Sequence, residues 1–298
     1  MESTSEKKTA LTEKVRVAAV QMVSGPEVAE NLETASRLVA EAAGRGARLV
    51  LLPEYFAIMG RRDKDKVKAR EEEGRGPIQE FLAATAARHR IWLVGGSVPL
   101  AVPEPDKIAN SCLVFDPQGQ RAARYDKIHL FRFHLPSDRY DESLTIRPGS
   151  RPVVLPTPLA SVGLTICYDI RFPELYRALG RIDLVLVPAA FTETTGRDHW
   201  EILLRARAIE NQCYLLASAQ GGRHESGRET HGNSMLIDPW GRIMDRLAKG
   251  PGIVVGDLDP AQLQEVRQKL PALEHRVFAV EAPGPSRETD PVGKGKNG

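Results

Sequence analysis

Apolar positions along this chain follow two rhythms, and the two rhythms alternate. Short unbroken runs of Val, Leu and Ile read as strands buried on both faces, whereas apolar residues spaced three and four apart read as helices. Residues 15–22 form the first such run, and 32–43 follow with Leu32, Ala35, Leu38, Val39 and Ala42 on one helical face. Gly44 and Gly46 stop that helix, and 47–53 is a second buried strand, ending at Glu54. Pro77 opens a helix to Arg90, and 91–98 is expected as one continuous strand. Three hairpins are predicted. The first pairs 109–115 with 121–125 across Asp116-Pro117-Gln118-Gly119. The second lies around 152–166 with a turn near 158–161, and the third pairs 233–238 with 242–247 across Pro239-Trp240-Gly241. A strand at 183–188, a helix at 199–211 and a strand at 213–219 fill the interval, and a strand at 252–257 and a helix at 260–270 end the pattern.

Strands that alternate with helices, with hairpins inserted, predict an α/β layered fold in which two sheets pack together with helices outside. No Gly/Ser- or Pro-rich linker divides the interior and no repeat recurs at a fixed period, so residues 15–280 read as a single domain. Residues 1–14 read as a flexible arm, and 281–298 as a flexible tail.

Composition narrows the function. Hydrophobic residues make up 42% of the 298 and charged residues 27%, ordinary values for a globular chain. The net charge is +2, with basic residues scattered among acids, so neither a basic stripe nor an aromatic platform for nucleic acid is present. No apolar run approaches the roughly 20 residues needed to span a bilayer, and the leading segment MESTSEKKTALTEK lacks the apolar core of a signal peptide. The expected partner is a small molecule, not nucleic acid or membrane. Cys112, Cys167 and Cys213 are widely spaced with no C-x-x-C pair, so neither a disulfide framework nor a zinc site is expected, and a reducing cytoplasm is the natural setting.

Among the cysteines, Cys167 stands apart. The β-branched run Val162-Gly163-Leu164-Thr165-Ile166 ends in it, a short charged turn follows, and Pro173 opens a helical stretch. Such a corner exposes a side chain at the carboxyl end of a sheet and leaves unpaired backbone N–H groups beside it. A thiol held there can attack a carbonyl while the N–H groups stabilise the oxyanion. A lone cysteine is more often a small buried hydrophobe. Three further residues carry the same ambiguity singly. Glu54 ends a buried strand, where an acid commonly caps a helix. Lys127, in Tyr125-Asp126-Lys127-Ile128-His129-Leu130-Phe131, follows a strand and precedes apolar residues, where lysines commonly snorkel. Glu142 lies on a loop as an ordinary solvated acid would. Together the four fit one reaction. A carboxylate takes the thiol proton, an ammonium stabilises the developing alkoxide, and the same carboxylate serves the leaving amine and then water.

The motifs Leu51-Leu52-Pro53-Glu54-Tyr55-Phe56, the segment around Lys127, and Gly163 through Leu175 resemble those of the nitrilase superfamily of carbon–nitrogen hydrolases, and the resemblance runs from about Val15 to Phe278. It extends through Val187-Pro188-Ala189-Ala190-Phe191-Thr192 and His199 through Glu210. What it implies is a four-layer α-β-β-α sandwich that assembles as a homodimer or larger homo-oligomer, with no metal and no organic cofactor. It further implies Cys167 as nucleophile, Glu54 as general base and acid, Lys127 and the Tyr168 N–H as oxyanion donors, and Glu142 as the residue that orients Lys127 and substrate. Phe191 and Thr192 would line the substrate site.

The segments Ala219-Gln220-Gly221-Gly222-Arg223-His224, Gly232-Asn233-Ser234-Met235 and Leu270 through Arg276 resemble the Nit-type amidase branch. That resemblance implies hydrolysis of N-(4-oxoglutaryl)-cysteinylglycine, the deaminated form of glutathione, to 2-oxoglutarate and cysteinylglycine. An ω-amidase acting on 2-oxoglutaramate, another aliphatic amidase, or a catalytically silent interaction protein are the alternatives. Arg132-Phe133-His134 stands where ω-amidases often carry an acidic residue. A dicarboxylate substrate calls for cationic partners, for which Arg171, Arg197, Arg223 and His224 are the expected candidates, and the charged run 61–76 lies where it would cover the site mouth.

Overall fold

The computed structural model describes residues 10–135 and 138–279. The first half of the chain supplies β1 (Val15–Gln21), α1 (Val28–Gly44), β2 (Leu49–Leu51), α2 (Asp65–Lys68), α3 (Pro77–His89), β3 (Trp92–Val94), β4 (Val98–Ala101), β5 (Ile108–Phe115) and β6 (Arg121–Asp126). A small hairpin, β7 (Arg132–Leu135) and β8 (Asp138–Asp141), leads into the second half. There follow β9 (Val153–Pro156), β10 (Ser161–Leu164), α4 (Pro173–Ala178), β11 (Leu184–Ala189), α5 (Glu193–Asn211), β12 (Tyr214–Ala219), β13 (Ser234–Ile237), β14 (Ile243–Leu247), β15 (Gly252–Leu258) and α6 (Pro260–Lys269).

One sheet has seven strands in the order β15-β1-β2-β3-β5-β4, with β6 on β5; the other has six, β14-β13-β12-β11-β10-β9. Side-chain alternation along β1 shows how the layers form. Val17 and Ala19 enter the core that also holds Leu215 and Leu216 of the opposite sheet, while Ala18 and Val20 pack with Leu38, Val39 and Leu82 of the covering helices. β2 repeats this, with Leu49 and Leu51 on one side and Val50 and Leu52 on the other. Across the molecule, Trp200, Leu204 and Ala208 of α5 close the fourth layer. A strand apolar on both faces therefore marks a sheet buried between a helix layer and a second sheet, the sandwich that the pattern predicts. Among the described residues no helix is long and apolar enough to cross a membrane.

Two elements depart from the expected boundaries. The strand expected over 91–98 is broken into β3 and β4. Gly96 has φ +50°, and a Cβ there would lie 2.0 Å from the Pro53 carbonyl oxygen. The chain must pass this close because the Ser97 hydroxyl accepts the Tyr55 N–H at 2.9 Å, fixing the residue after Glu54. α5 begins at Glu193, six residues before the expected start at His199. Thr194, Thr195 and Gly196 are poor helix formers, but the Thr192 side chain caps the turn by accepting the Thr195 N–H. Residues 1–9 and 280–298, most of the expected arm and tail, lie outside the described residues; within 10–14, Leu11 packs into the core and its N–H donates to Asp183.

Candidate active site

The carboxyl ends of β2, β10 and β11 meet at one edge of the sandwich, the position where open α/β sheets place ligand crevices. Glu54 leaves the end of β2, Cys167 follows β10, Ala190 follows β11, and Lys127 follows β6. Lys127 Nζ donates to Glu54 Oε1 at 2.8 Å and to Glu142 Oε1 at 2.9 Å. Glu54 and Lys127 are each 1% exposed, so this is an ion cluster taken out of water. Desolvation of that kind is costly unless the remaining lone pairs are satisfied, and here they are. Asn110 Nδ2 donates to Glu54 Oε1 at 3.0 Å and the Ala190 N–H to Glu54 Oε2 at 3.0 Å. The Tyr55 hydroxyl donates to Glu142 Oε1 at 2.9 Å, and the Phe131 N–H to Glu142 Oε2 at 2.7 Å.

These contacts set the protonation states. Burial would push the Lys127 ammonium down, but the charges of Glu142 and Glu54 overcome it and hold the group above its ordinary value. Burial would likewise raise Glu142, yet the Lys127 charge and hydrogen bond hold it below the ordinary carboxyl range. Lys127 and Glu142 therefore hold each other charged, and Lys127 is locked by hydrogen bonds between Glu142 and Glu54.

Cys167 shares a cavity with Glu54, Glu142, Tyr168, Phe191 and Thr192. Burial, reinforced by the Glu54 charge, pushes its thiol well above the ordinary cysteine value, so at rest the group is a thiol that needs a base. Its backbone has φ +50°, and Tyr55 beside Glu54 has φ +57°; both are left-handed conformations that side chains rarely adopt. Such strain is retained where the surroundings over-determine it. At Cys167 the determinant is Asp169, which is fully buried. Its Oδ2 accepts the Ile166 N–H at 2.8 Å and the Tyr125 hydroxyl at 2.7 Å, and its Oδ1 accepts the His129 N–H at 3.0 Å. His129 Nδ1 lies 2.8 Å from Oδ1, and its ring stacks on Phe172 at 3.7 Å. The turn after Cys167 is a 3-10 helix over Cys167–Arg171, whose first N–H groups point away from any preceding turn. Among the described residues no acceptor holds the Tyr168 N–H.

Glu54, Lys127, Glu142, Cys167, Tyr168, Phe191 and Thr192 are thus brought together. The four expected carboxylate partners are not. Arg171 points its guanidinium over the Tyr168 and Phe191 rings, at 5.7 and 5.4 Å, and its Nη1 is 3.2 Å from His199 Nδ1, outside the cavity lining. Arg197 is exposed beside Glu193, and Arg223 is exposed on its loop. His224 is buried, bridging the Ser24 carbonyl and the Thr230 hydroxyl at 2.8 Å each, and burial lowers it below the ordinary histidine value. It is a neutral structural tie.

Sequence reasoning missed Asn110, Asp169, Lys66 and Arg228. Asn110 did leave a signal, a buried amide inside the apolar run of β5. Gln220, in the segment that resembles the Nit-type branch, is a structural brace. Its Nε2 donates to the Ser24 hydroxyl at 2.8 Å and the Glu54 carbonyl at 3.1 Å, so it braces the backbone of Glu54 from behind.

Comparison with known proteins places the chain in a family. A family model described as carbon-nitrogen hydrolase matches residues 16–268. The chain is 44% identical over 267 residues to a deaminated glutathione amidase of Synechocystis sp., covering 88% of this chain and 97% of that one. It is 37% identical over 266 residues to an omega-amidase NIT2 of Danio rerio, covering 88% and 95%. The solved structure of the C. elegans NitFhit protein superposes with a TM-score of 0.85 at 33% identity, covering 94% of this chain and 69% of that one. With the family model spanning nearly the whole described chain and relatives of this identity matched along their length, the chain belongs to the carbon-nitrogen hydrolase family.

Proposed function

We propose that this chain hydrolyses the amide of N-(4-oxoglutaryl)-cysteinylglycine, deaminated glutathione, through a thioester on Cys167. The observation that carries amide hydrolysis is the buried Glu54–Lys127–Glu142 cluster opening onto the cavity of a strained, protonated cysteine. The acyl group is supported by the relatives named as acting on deaminated glutathione, at 38 to 44% identity.

In this reading Glu54 accepts the Cys167 proton as sulfur bonds to the amide carbon. The carbonyl electron pair moves onto oxygen, where the Lys127 ammonium and the Tyr168 N–H receive it. Collapse breaks the C–N bond, and Glu54 gives its proton to the departing amine of cysteinylglycine. Water then loses a proton to Glu54 and attacks the thioester, and the C–S bond breaks as the thiol is reprotonated. Glu142 holds Lys127 in place throughout, since its hydrogen bonds to Tyr55 and Phe131 fix its own position.

The test supplies the oxoglutaryl dipeptide and 2-oxoglutaramate separately and quantifies cysteinylglycine and ammonia. We expect kcat/KM for the dipeptide to exceed that for 2-oxoglutaramate by about 10-fold or more, roughly 1.4 kcal/mol of discrimination. The ω-amidase reading, favoured by the Danio rerio relative, replaces this one if ammonia release is the faster.

A homodimer belongs to the same reading. Ile202 and Ile209, seven residues apart on one face of α5, are 70% and 47% exposed, and Trp240 beside them is 48% exposed. Apolar side chains gathered on one helix face fit a self-complementary interface. Sedimentation at micromolar concentration should give a dimer that Ile202→Glu dissociates; a wild-type monomer contradicts it.

A further inference from the structure

Two cations line the space that adjoins the Cys167 cavity, and among the described residues no carboxylate hydrogen-bonds to either. Arg228 lines that cavity and also the adjoining space that reaches Tyr55, Lys66 and Tyr140. Its Nη2 donates to the Ala190 carbonyl at 3.0 Å and its guanidinium sits 5.2 Å over the Tyr140 ring. Its Nε is buried with no acceptor among the described residues. Lys66, on α2, extends over the Tyr55 ring at 5.6 Å from the centroid, and among the described residues no hydrogen bond or ion pair holds its ammonium. Burial lowers the Lys66 ammonium below its ordinary value, with the Glu142 and Asp63 charges opposing and Arg228 and Lys127 reinforcing the drop.

Placing two like charges together is unfavourable, and a buried guanidinium N–H left unmade costs its desolvation. Of the carboxylates that line this space, Glu142 is already engaged by Lys127, Tyr55 and Phe131, Asp141 by Arg132 and Ser143, and Asp63 is exposed at the outer rim. The site is complete only when an anion enters.

We propose that Lys66 and Arg228 form the clamp for the carboxylate at the far end of the substrate's acyl group. The acyl end is favoured over the leaving group because Arg228 lines the cavity of Cys167 itself, where only the acyl group remains once the thioester forms. The leaving group has the wider basin beyond, about 360 Å³, which Lys66 and Arg228 also border and in which Arg61 is already paired with Glu225; of these cations only Arg228 also lines the cavity of Cys167. A guanidinium and an ammonium that line one space give a planar fork and a point charge, a combination suited to one carboxylate. The inference rests on the reading of Cys167 as nucleophile but not on the oxoglutaryl dipeptide as substrate.

The experiment compares glutaramate with pentanamide, which carries a methyl group where glutaramate carries its carboxylate. Wild type should prefer glutaramate, and Lys66→Met and Arg228→Gln should each lower the glutaramate-to-pentanamide ratio of kcat/KM by about 10- to 100-fold, chiefly through KM for glutaramate. Arg228→Lys should recover part of the ratio. If Arg228→Gln fails to fold, Lys66→Met on the short outer helix reads the same ratio. A ratio unchanged in the variants, a wild-type preference for pentanamide, or no turnover of either amide overturns the clamp. Glutaramate hydrolysis without cysteinylglycine release from the oxoglutaryl dipeptide leaves the clamp standing and sinks the proposed substrate.

Discussion

Cys167→Ala is expected to lower kcat for amide hydrolysis by about 10,000-fold or more, the scale on which removal of an enzymatic nucleophile acts. The loss is chemical, not structural. Alanine keeps the Cβ that the φ of +50° already accommodates, and the Asp169 hydrogen bonds that hold the turn involve Ile166, Tyr125 and His129, not the thiol. The Glu54–Lys127–Glu142 cluster also keeps its internal contacts, so the urea midpoint should shift little. Steady-state rates on the oxoglutaryl dipeptide measure the first part, urea unfolding the second, and intact mass after trapping with a slow substrate locates the acyl group. Wild type should gain one oxoglutaryl mass on Cys167 and none on Cys112 or Cys213, whose thiols burial pushes up to about 12. Retention of a tenth of wild-type activity by the variant removes the thioester route.

The residues whose meeting was legible are those that end strands. Glu54 and Cys167 each close an apolar run, and Lys127 follows a hairpin strand, so a layered α/β fold places all three at one edge once strand direction is known. Arg171 and His224 lie near the nucleophile or a motif in the sequence, whereas Lys66 on α2 and Arg228 on a distant loop line one space that only the folded chain assembles. Asp169, Asn110 and Gln220 act through hydrogen bonds to backbone and side chains of other elements, and such partners leave no periodicity to read. Gly96 shows the same limit: its φ answers a carbonyl more than 40 residues away in the chain, so an alternation rule ran one strand straight through it.

Lys127→Met should damage both function and fold, and its pH dependence separates the two. Removing the cation leaves Glu54 and Glu142 buried without a counter-ion, a loss of about 3–5 kcal/mol at neutral pH for a buried pair broken on one side. It also removes an oxyanion donor, for which about a 100- to 1,000-fold fall in kcat is usual. In wild type Glu142 titrates below its ordinary 4.5, so its contribution to stability is present above that value and is lost as pH falls through the depressed folded one. Without Lys127, burial, the largest influence on Glu142, outweighs the lesser Lys66 charge and Phe131 hydrogen bond that still oppose it, and the folded value rises above 4.5. The sign of the Glu142 contribution then reverses: protonation in the folded state favours folding, and stability falls as pH rises through the raised value. Urea unfolding at pH 5 and pH 7 should therefore show the gap between variant and wild type narrowing at pH 5. Activity should not recover with stability, because a neutral Glu142 cannot supply the missing charge at the oxyanion. A gap of equal size at both pH values would mean that Lys127 holds the fold by packing its four-carbon stem, and that the ionised cluster contributes little.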